Sequence, residues 1–390
     1  MKKLEILNEI GQLKDQKEGF KAFIPATFPL EGGFKFDSKI LKKSDEATRL
    51  LGKIDGITKL LPDVDFFLSM YLRKDAASSS QIEGTMATMI DAIQAEVQSN
   101  SNTPEDVDDI LNYIKALNYG MKRVKLDNFP MSLRFIRELH KQLMDKARST
   151  HFSDPGEFRK SQNWIGGTKP DNARFVPPPV EEMHRALTDL EKFIYSNDDT
   201  LTLIKAALIH AQFETIHPFL DGNGRLGRLL ITLLLYEQKV LHDPVLYLSL
   251  YFKTHRQYYY ELLNKVRIDG DWEAWLDFFA DAVIETSAQA VTTAKDLYKL
   301  INADKEKVAS LGRVAESALK VHNTLFEKPI TTSNWLVEKT GLTAATVNKC
   351  LEQLVKVKIL KELTKQRRNR VFCYSKYIQI LNKGTELDNP

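Results

Sequence analysis

Cysteine is nearly absent: two among 390 residues, Cys350 and Cys373, both near the C-terminal end and without Cys–His spacing around them. That excludes a disulfide scaffold and a zinc module and fits reduced thiols. Net charge is also small, with 55 Lys+Arg against 52 Asp+Glu for +3, so the chain as a whole is not a polyelectrolyte binder. Long apolar runs are missing too. The longest, residues 229–236, falls far short of the ~18 that span a membrane, and the opening residues lack the apolar core of a signal peptide. The expectation is a cytoplasmic protein with no membrane contact. At 43% hydrophobic and 27% charged the composition is that of a globular protein. Its length suits two or three domains at roughly 100–200 residues each.

Helical periodicity dominates, and strand signals are few and short. Residues 1–36 are mixed, with a Gly32-Gly33 turn, and read as an arm packed on something else. From about 37 to 124 several helices are broken at Leu61-Pro62 and by a polar stretch ending in Thr103-Pro104-Glu105-Asp106, which reads as a helix start. Helices resume at Ser132. Trp164-Ile165-Gly166-Gly167 and Ala173-Arg174-Phe175-Val176 flank a polar turn and predict a β-hairpin closed by Pro177-Pro178-Pro179. Helices then run to about residue 311. The last 80 residues carry 14 Lys+Arg against 7 Asp+Glu, a surplus of seven that leaves a deficit of four upstream. The boundaries expected are 1–125, 126–310 and 311–390.

The segment that carries chemistry is His217-Pro218-Phe219-Leu220-Asp221-Gly222-Asn223-Gly224-Arg225-Leu226-Gly227-Arg228, a Gly-rich turn between two apolar helical runs. Backbone N–H groups at a helix start are unpaired, the helix dipole adds positive potential, and glycines admit a phosphate closely. Asp221 suits Mg²⁺ shared with phosphate oxygens. Asn223 can donate to a phosphate, and Arg225 and Arg228 share a face and can bracket a polyphosphate. His217 titrates near neutrality and is the natural general base for a hydroxyl. Gly222-x-Gly224-x-x-Gly227 also matches the dinucleotide fingerprint, but that motif must follow a strand and here a helix precedes it. A P-loop is excluded for want of Gly-Lys-Ser/Thr. A capped turn with surface arginines is the plain alternative.

At every defined position this segment resembles the signature of the Fic family. The resemblance extends over roughly residues 40–300, including Ile136-Arg137-Glu138-Leu139-His140, Pro155-Gly156-Glu157-Phe158-Arg159 and the hairpin. It implies a mainly α Fic fold and transfer of AMP from ATP to a Ser, Thr or Tyr hydroxyl of a target protein, with release of pyrophosphate. By the same resemblance His217 is the base and Asp221 binds Mg²⁺. Gly222, Asn223, Gly224, Arg225, Leu226, Gly227 and Arg228 form the ATP and phosphate site, with Arg228 at the γ-phosphate. The hairpin resembles the family's flap, with Ile165, Gly166, Gly167, Phe175 and Val176 offering a strand edge to an extended target; a merely structural hairpin is the alternative. Thr254, His255, Tyr258 and Tyr259 are candidates for the adenine side, with ordinary core aromatics as the rival reading.

Ser79-x-x-x-Glu83-Gly84 resembles the family's inhibitory motif, placed N-terminal to the core. A Glu83 carboxylate on Arg228 would take the guanidinium that a γ-phosphate needs. From 313 onward the chain reads helix, helix, turn, helix, ribbon, and resembles a winged helix-turn-helix. Thr343, Thr346, Asn348 and Lys349 could face DNA, with Arg367, Arg368 and Arg370 on its backbone; protein contact, including a homodimer, is the alternative. The rival functions are a transcriptional regulator with a nucleotide-sensing Fic core, Fic-type transfer of another phosphate-containing group, and removal of AMP.

Overall fold

The computed structural model describes residues 10–31, 33–58, 61, 63–97, 104, 106–145, 154–196, 199–243, 246–364 and 370–383. The chain opens with an antiparallel ribbon, β1 (Gly11–Asp15) and β2 (Lys21–Pro25), with Leu13 opposite Phe23. Five helices follow: α1 (Ser38–Thr58), α2 (Val64–Ile82), α3 (Met89–Val97), α4 (Val107–Asp127) and α5 (Leu133–Leu143). A loop segment with a 3₁₀ turn at Pro170–Asn172 leads to α6 (Val180–Tyr195), α7 (Thr202–Ile216), α8 (Asn223–Glu237), α9 (Leu248–Thr254), α10 (Arg256–Asp269) and α11 (Trp272–Ala309). The C-terminal part is α12 (Ala315–Thr324), β3 (Ile330–Thr332), α13 (Ser333–Thr340), α14 (Ala344–Lys356), β4 (Lys361–Glu362), β5 (Val371–Cys373) and α15 (Ser375–Asn382). Its three strands form one antiparallel sheet in the order β3-β5-β4. The fold is mainly α, as expected.

Local chemistry sets the helix starts. Asp63, Ser132, Asp271, Thr332 and Thr343 each accept an N–H of the first turn through the side chain. The α4 start differs from expectation. Asp106 is its N-terminal flank without a side-chain cap, and Thr103 and Glu105 lie outside the described residues. Helices α7 and α8 are apolar on nearly every face and accordingly lie in the centre, where Phe213, Ile216, Leu226, Leu229, Leu233 and Leu235 are fully buried. Helix α11, 38 residues long, packs along α1 and reaches α12 and α15, so one hydrophobic core runs from the N-terminal helices into the C-terminal part.

The arm expected at 1–36 is the β1–β2 ribbon. Ile10 and Phe23 pack on Phe175 with Ile165 beside them, and the Phe23 N–H donates to Val176 O at 2.9 Å. The expected hairpin is less regular than predicted. A single bridge joins Ile165 and Phe175. Gly166 and Gly167 are both left-handed, at φ 70° and 73°, and Asn172 Oδ1 accepts the N–H groups of Thr168 and Lys169. That side chain replaces ladder bonds with a local turn.

Candidate active site

Two left-handed residues frame the loop between α7 and α8. His217 ends α7 at φ 49°, and Gly222 opens α8 at φ 78°. A non-glycine residue holds positive φ only when its surroundings fix it. Here the His217 carbonyl accepts Arg159 Nε at 3.0 Å and Asn163 Nδ2 at 3.1 Å. Arg159, 2% exposed, also donates to Ser161 O and Pro178 O, and its backbone N–H to Pro218 O. Asn163 Nδ2 reaches Phe219 O as well, at 2.8 Å. A fully charged side chain thus satisfies carbonyls only, and burial pulls its pKa down to about 10.

On the other side of the loop, Gly156 N–H donates to His140 Nδ1 at 2.9 Å, which makes Nε2 the donor to Asp221 O at 3.0 Å. Burial lowers His140 to about 4, so it stays neutral, and its ring stacks on Phe219 at 3.7 Å. At Gly222 an added Cβ would lie 2.8 Å from Met144 Sδ, so the loop approaches the end of α5 more closely than a side chain would permit.

The predicted residues are brought together, with differences in what each touches. Asp221 Oδ1 accepts the Gly222 N–H at 2.6 Å, its other oxygen lies 3.7 Å from Arg225 Nη2, and its side chain is 44% exposed. Arg225 Nη1 pairs with Asp109 Oδ1 at 2.7 Å, and Asp109 Oδ2 accepts the Thr85 hydroxyl. Arg228, buried, donates through Nε to Ser79 Oγ at 2.9 Å and through Nη2 to Ser79 O at 3.0 Å and Glu83 Oε1 at 2.7 Å. Against the pull of burial, the Glu83 carboxylate raises the Arg228 pKa. Glu83 ends α2, Gly84 follows at φ 98°, and a Cβ on Gly224 would meet Glu83 Oε1 at 2.2 Å. The Glu83 carboxylate therefore lies against the first turn of α8, where an anion is favoured.

Several expected positions lie elsewhere. Asn223 turns inward, accepting Phe219 N–H at 2.9 Å and donating to Phe219 O at 2.8 Å, and so braces the loop. Leu226 is fully buried with its N–H committed to Gly222 O, so it has nothing to offer a phosphate. Gly227 serves helix packing, since a Cβ there would sit 2.7 Å from Glu214 Oε1. Tyr259 is buried, with its hydroxyl 2.9 Å from His210 Nε2, and is core rather than adenine lining. Thr254, His255 and Tyr258 are exposed, the two rings packing on Phe278.

Glu214, Asp109, Arg267 and the role of His140 are not among the sequence-derived site residues. Each acts across long sequence separations or from the interior of an apolar helix, where periodicity carries no sign of it. Glu214 alone left a signal, a carboxylate inside a run otherwise fit for the core.

With this geometry in place, comparison with known proteins is informative. Residues 41–122 match the Fic/DOC family N-terminal model and residues 130–235 the Fic/DOC family model, so the chain carries Fic/DOC family domains over these segments. Relatives include proteins named Protein adenylyltransferase Fic. That of Drosophila erecta is 28% identical over 262 residues, covering 63% of this chain and 48% of its own. That of Drosophila grimshawi is 30% identical over 228 residues, covering 55% and 42%. The chain spans about half the length of the curated relatives it matches. In fold it is similar to a Fic family protein from Desulfovibrio desulfuricans G20, with TM-score 0.57, 18% identity, and 87% of this chain and 97% of that one covered. A Fic domain-containing signaling protein from Bacteroides thetaiotaomicron VPI-5482 gives TM-score 0.51 at 18% identity, covering 64% and 97%. Among the described residues no helix is long and apolar enough to cross a membrane.

Proposed function

We propose that this chain is a protein adenylyltransferase, moving AMP from ATP to a hydroxyl of a target protein and held inactive by Glu83. What supports this is one arrangement: an imidazole, a helix N-terminus and two buried guanidiniums converge on one loop, with Asp109 on Arg225 and Glu83 on Arg228. The target hydroxyl gives its proton to His217 Nε2 while its oxygen attacks the α-phosphorus in line. The P–O bond to the β-phosphate breaks and pyrophosphate leaves. Amides at the start of α8 and Arg225 bear the developing phosphate charge, and Arg228, once freed, binds the γ-phosphate. Asp221 is a single exposed carboxylate, and no group of three or more metal-ligating side chains occurs among the described residues. That donor set fits Mg²⁺ taken with phosphate oxygens and water as its other ligands. When bound there it supplies charge neutralisation on the nucleotide.

The brake is electrostatic. Glu83 supplies Arg228 with the negative charge that a γ-phosphate would bring, and repels that phosphate. The experiment is incubation of the full chain with labelled ATP, Mg²⁺ and lysate proteins. Glu83→Gly raises labelling at least 10-fold over wild type, and the further change His217→Ala returns it to background. Equal labelling of wild type and Glu83→Gly sinks the brake; labelling that survives His217→Ala sinks the mechanism.

A second reading concerns the C-terminal part. We read it as a winged helix, a reading its order of elements and the β3-β5-β4 sheet support, and α14 presents exposed Ala344, Ala345 and Lys349 beside its capped start. We assign duplex DNA to that face. Arg367 and Arg368 lie outside the described residues, whereas Arg370 is tied to Glu362 by two bonds at 2.9 and 2.7 Å and is not free for phosphate. The reading carries a cytoplasmic setting, in which buried Cys350 and Cys373 remain thiols.

A further inference from the structure

Glu214 lies in the last turn of α7, three residues before His217, the left-handed residue that caps that helix. It is 5% exposed. Its Oε2 lies 3.8 Å from His217 Nδ1, and both Glu214 Oε1 and His217 Nδ1 are buried without a hydrogen-bond partner. An unpaired buried carboxylate is expensive. The site nevertheless makes room for it, because Gly227 leaves open the space that a Cβ would take. The backbone beneath is fixed: Arg267 donates to Glu214 O at 3.0 Å and to Thr215 Oγ1 at 3.2 Å.

We propose that Glu214 is the positioning residue of this site, its carboxylate facing Nδ1 and stabilising the imidazolium that forms as Nε2 takes the hydroxyl proton. The proposal rests on the adenylyl-transfer reading above. The need for such a group follows from the surroundings. Burial, then the Arg267 and Arg159 guanidiniums, hold His217 down at about 3 against the upward pull of the Glu214 backbone and the Asp221 charge, so the imidazole alone is a weak base. A proton placed there would add a third cation beside two guanidiniums. A carboxylate within 4 Å offsets that charge, as in other histidine-based sites. Burial also raises Glu214 to about 7, against the pull of Arg228. The charged and titratable groups around it are Arg228 on α8, Arg267, Tyr259 and Tyr260 on α10, Glu83 at the end of α2, and His217 itself. The supporting form is the ionised one, so activity rises with pH as Glu214 loses its proton.

The test uses the full chain carrying Glu83→Gly, with Glu214→Gln or Glu214→Asp added. Expected for Glu214→Gln is a fall in kcat of about 10- to 100-fold, part of the 10²–10⁴ that general-base catalysis contributes. KM for ATP stays within twofold, and the ascending limb of the pH–rate profile disappears. Glu214→Asp keeps the charge and retains the limb. A Glu214→Gln protein with unchanged kcat and profile overturns the proposal. So does equal loss in both variants with the limb intact, which marks a packing role. A second readout needs no transfer activity: carbethoxylation of His217 by diethylpyrocarbonate, followed by peptide mass spectrometry between pH 6 and 8. Slower modification in Glu214→Gln than in its parent supports the role, and equal rates refute it. Absence of labelling in Glu83→Gly itself would refute the transfer reading, while the modification rates still decide Glu214.

Discussion

Arg159 shows how a single side chain holds this site in a conformation the backbone would otherwise avoid. Its planar fork sends separate N–H groups to three carbonyls, those of His217, Ser161 and Pro178, and among the described residues no carboxylate pairs with it. Lysine keeps the charge but presents a compact ammonium on a flexible stem, which does not reproduce the fork. At least one buried carbonyl then loses its donor, at about 1–3 kcal/mol. The carbonyl of His217 is the one whose release matters for function, since it anchors the left-handed residue. Arg159→Lys is expected to lower the thermal midpoint and, with Glu83→Gly, to reduce labelling about 10-fold at unchanged ATP affinity. Calorimetry and nucleotide titration check the two parts separately. A variant with wild-type transfer would show that Asn163 alone fixes the loop.

Among the helices, α8 is the hub on which the others close, and close approach is bought with missing side chains. Gly120 on α4 is such a point: a Cβ there would lie 2.6 Å from Leu233 Cδ1 and 3.0 Å from Leu139 Cδ2, both on fully buried residues. Alanine gains about 1 kcal/mol of helix propensity, yet overpacking a filled core costs about 1–3 kcal/mol. Gly120→Ala is therefore expected to lower stability by up to about 2 kcal/mol in denaturant titration, with an unchanged m-value; a gain in stability would mean that α4 and α8 can separate freely. Elements were legible in the sequence to very different degrees. The loop from His217 to Arg228 was, because fixed spacing between polar residues and glycines survives as a pattern, whereas the pairing of Glu83 with Arg228 followed only from the resemblance to the family's inhibitory motif. The β1–β2 ribbon was not, since five-residue strands such as Gly11–Asp15 carry mostly exposed polar side chains and little alternation. Tyr259 was misplaced because a run of three tyrosines does not say which of them faces the core. Asp109 on Arg225, 116 positions away, leaves no local trace.

At the scale of the whole molecule, the C-terminal part is seated on the rest rather than tethered. Tyr374 donates to buried Asp304 of α11 at 2.8 Å, and the Tyr377 ring packs on Phe66 of α2 at 5.9 Å. Lys74 of α2 donates to Lys383 O. The docked face thus joins aromatic packing to hydrogen bonds, and Lys349 and Lys356 of α14 are exposed. The last 80 residues as a whole carry a surplus of seven positive charges. If phosphates are neutralised there, the logarithm of the binding constant falls with the logarithm of salt by about 0.9 per contact. The full chain, titrated with a duplex between 50 and 200 mM salt, is expected to show such a slope. On the DNA reading, Lys349→Ala is expected to reduce it by about 0.9, one phosphate contact, because that side chain is exposed at the first turns of α14. Arg370→Ala leaves it unchanged, because the guanidinium already answers to Glu362. A slope insensitive to Lys349, or one that drops with Arg370, would turn the outer face of α14 toward a protein partner.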